Sequence, residues 1–228
     1  MQKSFFIIAI LVAEVASGQQ PASTVWLALR VPVTINNKWQ VINDAGYRTM
    51  GYSTSAWQYL YRTGIKYFIS NEWSVAAGIA FFYTRTSVEK LNHEFGKEFR
   101  LWQEMNYKHD FKGRFTLQNR FRTEERFFAA TKTKKEYNAF RLRYRISGTQ
   151  KLSDKWSLQA GDEYMEQEAA GNFSFNQNRL MFYAIYEANA TTQFQGGYMW
   201  SLLPSSSLHI LTISLQKSFS LHADKKHS

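Results

Sequence analysis

Apolar and polar residues alternate with period two along almost the whole chain beyond its first twenty residues. That is the pattern of strands whose two faces meet different surroundings. The densest example is RFTLQNRFRTEERF, residues 114 to 127. Phe115, Leu117, Phe121 and Phe127 fall on odd positions, while Arg114, Gln118, Arg120, Arg122, Glu124 and Arg126 fall on even ones. Residues 97–109 oppose Phe99, Leu101, Met105 and Tyr107 to Glu98, Arg100, Trp102, Glu104, Asn106 and Lys108. Residues 137–151 oppose Phe140, Leu142, Tyr144 and Ile146 to Arg141, Arg143, Arg145 and Thr149. The alternation predicts strands over 23–35, 39–50, 57–69, 73–84, 97–109, 114–127, 137–151, 155–167, 174–187, 192–203 and 207–219. Most are longer than the roughly five or six residues common in globular sheets, and they suit tilted membrane strands of about 9 to 11 residues.

The connections carry a second pattern. NNK (36–38), SNE (70–72), DFKG (110–113), LSDK (152–155) and NATT (189–192) are tight and alternate with longer segments such as RTSVEKLNHEFG and FAATKTKKE. Short turns on one rim and longer loops on the other describe an up-and-down outer-membrane barrel. The expected fold is therefore all-β: an antiparallel up-and-down transmembrane β-barrel of 10 to 12 strands. Eleven predicted strands conflict with the even number usual in bacterial barrels, whose termini share the periplasmic side. If strands two to eleven form a ten-strand set, the segment 23–35, with Pro32, is left over, either inside the lumen or as the sign of a missed strand.

An apolar face and a charged face on the same strands need two different covers. In a membrane barrel, lipid covers the apolar side and a polar lumen takes the charges. The expected lumen-lining charges are Glu98, Arg100 and Glu104 on one strand, Arg120, Arg122, Glu124 and Arg126 on the next, Arg141, Arg143 and Arg145 on a third, and Glu163. These arginines repel one another unless glutamates intervene, so one expectation is a ladder of ion pairs filling the lumen. The other is an arginine-lined path that selects anions. The inverted alternative is a soluble periplasmic barrel that holds a lipophilic ligand in an apolar interior.

Composition sharpens this picture. The chain of 228 residues suits one all-β domain. Its start, MQKSFFIIAILVAEVASGQQ, reads as a secretory signal peptide cleaved after Gly18, leaving a single barrel domain over 19–228 with a polar tail at 220–228. Cysteine is absent, which removes disulfides, thiolate metal sites and a cysteine nucleophile. A net charge of +10 on an exported chain points to anionic small molecules or lipopolysaccharide rather than nucleic acid. Thirteen Tyr and seven Trp suit the aromatic girdles of outer-membrane barrels. Near the end, Leu211, Ile213 and Leu215 alternate toward Phe219, which resembles the aromatic-ended last strand that outer-membrane assembly machinery recognises.

In order, EFRLWQEMNYKHD, LQNRFRTEERF, FRLRYRIS, DEYMEQ, FNQNRLMFYAIY and GGYMW resemble the family catalogued as domain of unknown function 2490, from about Trp26 to Phe219. The resemblance implies an exported outer-membrane barrel of Gram-negative bacteria and supplies no activity. Catalysis finds no support in the residues. His109 adjoins a short turn, His222 and His227 lie in the tail, and His93 and His209, at the loop rim, have no nucleophile pattern beside them. No HExxH or EF-hand pattern is present, and adjacent Asp162 and Glu163 point to opposite faces of a strand. Gly196 and Gly197 fit a close-packed strand better than a phosphate cradle. No enzyme activity, cofactor or metal is therefore expected. The expected partners are outer-membrane lipid and lipopolysaccharide, the barrel-assembly machinery and small anionic solutes. The expected role is a porin-like narrow pore or a filled barrel acting structurally or through its outer loops.

Overall fold

The computed structural model describes residues 22–86, 94–111, 113–169 and 171–221. The expected signal peptide, His93, His222 and His227 lie outside them. The chain forms, in order, β1 (Ala22–Arg30), β2 (Val33–Thr34), β3 (Trp39–Thr49), β4 (Ala56–Phe68), β5 (Trp73–Arg85), β6 (Phe95–Phe111) and β7 (Phe115–Phe128). It continues through β8 (Tyr137–Lys151), β9 (Trp156–Ala169), β10 (Asn172–Asn189), β11 (Thr192–Leu202), β12 (Ser207–Lys217) and β13 (Phe219–Ser220). From β3 to β12 each strand pairs antiparallel with the next.

The sheet closes through β1, which lies between β12 and β3. It runs parallel to β12 from Ala22↔Leu208 to Arg30↔Gln216 and antiparallel to β3 from Trp26↔Arg48 to Arg30↔Asp44. The short β2 and β13 prolong β1 and β12 and extend the parallel seam through Phe219↔Val33. The wall thus has eleven members. Every hairpin reverses the chain, so in a closed meander with an odd number of strands the first and last must run the same way.

Three expectations change. The barrel is not antiparallel throughout, since its seam is parallel. Segment 23–35 is neither luminal nor surplus, because it supplies the closing strand. The described termini do not share a rim: Ala22 lies at the end of the barrel that carries the longer loops, and Ser220 at the end that carries the short turns. Pro32 marks the break between β1 and β2 because it has no N–H for the ladder. Its carbonyl still accepts a hydrogen bond from the Phe219 N–H at 3.0 Å.

Three of the short turns repeat one signature, INNKW, ISNEW and LSDKW, at 35–39, 69–73 and 152–156. In each, the side-chain oxygen of Asn36, Ser70 or Ser153 accepts the backbone N–H groups two and three residues on, a local turn that such short polar side chains favour. The following tryptophan then packs on a tyrosine of the neighbouring strand: Trp39 on Tyr67, Trp73 on Tyr107 and Trp156 on Tyr186, with ring centres 4.7–4.9 Å apart. The outer wall above this rim exposes large apolar side chains on nearly every strand, among them Leu27, Ile65, Phe121, Ile146, Phe182 and Ile213.

Candidate functional site: the charged barrel interior

The opposite face of the wall carries the charges inward. Glu98, Arg100 and Glu104 of β6, Arg120, Arg122 and Glu124 of β7, Arg141 of β8 and Glu163 of β9 are all buried. Arg126, Arg143 and Arg145 lie on the same face, and the first two join the same ion-pair network. The register places like charges directly opposite one another at Arg100↔Arg126, Arg122↔Arg143 and Arg120↔Arg145. Such pairs destabilise a sheet unless something stands between them.

The glutamates do so diagonally rather than as a simple ladder. Glu124 accepts hydrogen bonds from Arg100 at 3.2 Å, from Arg141 Nε at 3.0 Å and from Arg143 at 2.6 Å. Glu163 receives Arg143 at 2.9 Å and also Arg120, with Arg179 at 3.6 Å. Glu104 binds Arg122 through its Nε at 2.9 Å, and Glu98 takes Arg100 at 2.5 Å and Arg126 at 2.6 Å. The carboxylates serve arginines from their own and adjacent strands, and Glu163 also reaches Arg120 two strands away; the five N–H donors of a guanidinium make such sharing possible.

Sequence reading missed part of this set. Arg30, Arg48, Arg62, Arg179 and Asp44 also point inward, and Arg62 is held by Asp44. Their strands alternate less cleanly: in WQVINDAGYRT both faces of β3 mix polar and apolar residues. Carrying the parity outward from β6–β8, strand by strand, is the signal that would have found them. Among the described residues, eleven inward arginines then meet five buried carboxylates. Aromatic faces take up some of this excess. Arg48 stacks 3.6 Å from the ring centre of Trp26, Arg100 lies 3.6 Å from that of Phe82, and Arg122 lies 4.9 Å from Trp102. Such cation–π contacts are worth about 0.5–2 kcal/mol.

Trp102 fills the middle of the barrel and is only 2% exposed. Gly78 is its partner across β5–β6, and Gly64 faces Gly78 across β4–β5. A Cβ on Gly64 or Gly78 would come within 2.4 and 2.7 Å of the indole, so two glycines open the slot that the ring occupies. Beside it, Ala76, Ala80 and Phe82 complete a small apolar cluster. Gly197 similarly lies beneath the ring of Tyr183.

The interior differs at its two ends. Toward the longer loops Gln58, Glu98, Met165, Gln177 and Ser201 are buried and Gln177 donates to Ser201, while a cavity of about 760 Å³ lies at that rim beside Phe82, Glu98 and Phe128. Toward the short turns it opens into a chamber of about 710 Å³, separated by the Trp102 level from a central cavity of about 250 Å³. Asp162, by contrast, faces outward and accepts from Asn178 at 3.2 Å. His109 sits 2.6 Å from Glu72 at the short-turn rim, and His209 lies against the Tyr198 hydroxyl.

A closed all-β barrel with a charged interior and an apolar outer wall is the class of protein these features define. The chain belongs to the family described as "Protein of unknown function (DUF2490)", whose model matches residues 23–208. Among solved structures it is similar to OmpT of Vibrio cholerae expressed in the outer membrane, at 16% identity and TM-score 0.43, covering 73% of this chain and 51% of that one. The in-vitro folded trimer form of the same outer membrane protein gives 15% identity and TM-score 0.44, with 84% and 58% coverage. The chain thus spans little more than half the length of these structures. No curated protein matches the sequence.

Proposed function

We propose that this chain is an outer-membrane barrel whose lumen is closed at mid-height and toward the longer loops, so that it acts as a filled wall element with a chamber open at the short-turn end rather than as a through-pore. The observation that carries this is the shared ion-pair network around Glu124 and Glu163, buried beside Trp102. The apolar outer wall and the Trp–Tyr pairs at the short-turn rim support a lipid setting, because such girdles sit at membrane interfaces. They also disfavour a soluble periplasmic barrel with an apolar ligand cavity, since the interior is the charged side. Phe219, half exposed at the end of the last strand pair, is available to the assembly machinery at the short-turn rim, which faces the periplasm in this reading.

Planar-bilayer recording tests the closure. Refolded protein inserted in the bilayer is expected to give no discrete conductance steps. Reproducible steps with anion preference would replace the filled barrel by the arginine-lined pore. The membrane setting has its own test at Ile213, midway along β12 and 58% exposed. Ile213→Arg is expected to cost about 2–4 kcal/mol of folding free energy in lipid, read from denaturant midpoints in vesicles. A change within about 0.5 kcal/mol is what an exposed position on a soluble protein would give, and it would remove the lipid-facing assignment.

A further inference from the structure

The chamber at the short-turn end has a use that wall-building does not explain. Its lining carries nine cationic side chains against three carboxylates, and six glutamines besides. Arg62, Arg120 and Arg122 are committed to Asp44, Glu163 and Glu104, and Lys151 to Asp154. Arg145 is not: its guanidinium makes no hydrogen bond or ion pair with the described residues, and its Nε is buried without a partner. Glu163 and Glu104 act on it only through space. Arg30 bonds only to neutral Gln195, at 2.8 Å. Arg30 and Arg145 both line the chamber and the central cavity behind it, and the charges of both bear on Tyr183 between them. Lys66 and Lys108 add ammonium groups to the chamber wall.

A guanidinium stays protonated at any pH the protein meets. Charge held away from bulk water without a partner is costly, so an excess of cations concentrated on one chamber calls for an anion within it. The planar donor forks of two arginines suit a phosphate or a carboxylate better than a spherical halide. Glutamine amides, which both donate and accept, suit hydroxyl groups. The volume lies within the roughly 300–1,000 Å³ of small-molecule sites.

We propose that this chamber binds a phosphorylated sugar, with the phosphate at its floor on Arg30 and Arg145 and the hydroxyls against the glutamine wall. The site rests on where the charges lie and does not depend on whether the barrel conducts, so binding and conductance can fail separately.

The test is titration calorimetry on the folded, detergent-solubilised protein, with glucose 6-phosphate, inorganic phosphate and glucose as probes and intrinsic tryptophan fluorescence as a second readout. Glucose 6-phosphate is expected to bind more tightly than inorganic phosphate, and glucose not at all. Arg145→Gln and Arg30→Gln are each expected to weaken glucose 6-phosphate binding by about tenfold or more, about 1.4 kcal/mol. Their folding is checked by heat-modifiable gel migration, and Lys108→Gln, on the exposed rim, serves if either variant does not fold. Equal affinity for phosphate and glucose 6-phosphate would reduce the site to a plain anion trap and overturn the sugar assignment. Absence of binding by both, or binding unchanged in the folded variants, would overturn the site itself.

Discussion

Removing residues 22–34 is expected to abolish the closed barrel. The deletion takes away β1 and β2, and with them the parallel pairing to β12 and β13 and the antiparallel pairing to β3. Two long strands are then left with unpaired backbone groups, each costing several kcal/mol in the lipid setting proposed above. Re-pairing β12 directly with β3 would require a ten-member wall of smaller circumference around the same interior. That interior would lose only the side chains of 22–34, Trp26 among them, which leaves Arg48 and Arg179 without the ring they stack on. Loss of the compact, heat-modifiable gel species in the refolded truncation is the expected outcome. A truncated chain that still migrates as a compact barrel would mean that 22–34 is an insert and that ten strands suffice.

Glu124→Ala is expected to cost about 3–5 kcal/mol, the usual penalty for removing one partner of a buried ion pair. Glu124 is 2% exposed and lies within ion-pair distance of Arg100, Arg122, Arg141 and Arg143. Its loss leaves these four cations facing one another, with Glu98 and Glu163 as the remaining carboxylates that bind any of them except Arg122, which keeps Glu104. The neighbouring residue supplies the control: Glu125 sits on the exposed outer face, and Glu125→Ala is expected to shift stability by no more than about 0.5 kcal/mol. Glu124→Gln should fall between the two, since it keeps the side chain's volume and one acceptor oxygen but loses the charge and the second acceptor. Denaturant midpoints of all three in the same lipid or detergent measure this. Equal small effects at 124 and 125 would mean that the network contributes little to holding the wall together.

Both predictions depend on a placement that the strands only partly announce. The three strands with unbroken alternation, β6 to β8, display their inward face directly, and the charges named from them share the barrel interior. On β3, β4 and β10 the inward arginines are interleaved with neutral residues, so Arg48, Arg62 and Arg179 become visible only when the register ties their faces to β6–β8. Trp102 is legible as a member of the charged face. The slot that receives it is not, because Gly64 and Gly78 become neighbours only across strand pairs.

The sequence by itself determined the all-β class, the positions of the strands, the alternation of tight turns with longer loops, and which face of the central strands is charged. These follow from local rules: side chains alternate along a strand, and Asn, Ser and Gly shape turns within a few residues. Tertiary structure alone decided how the meander closes, which carboxylate serves which arginine, and which arginines are left over to face the chamber. Those outcomes depend on the circumference of the wall and on registers between residues more than a hundred positions apart, as at Leu27↔Ile213, which no local pattern encodes.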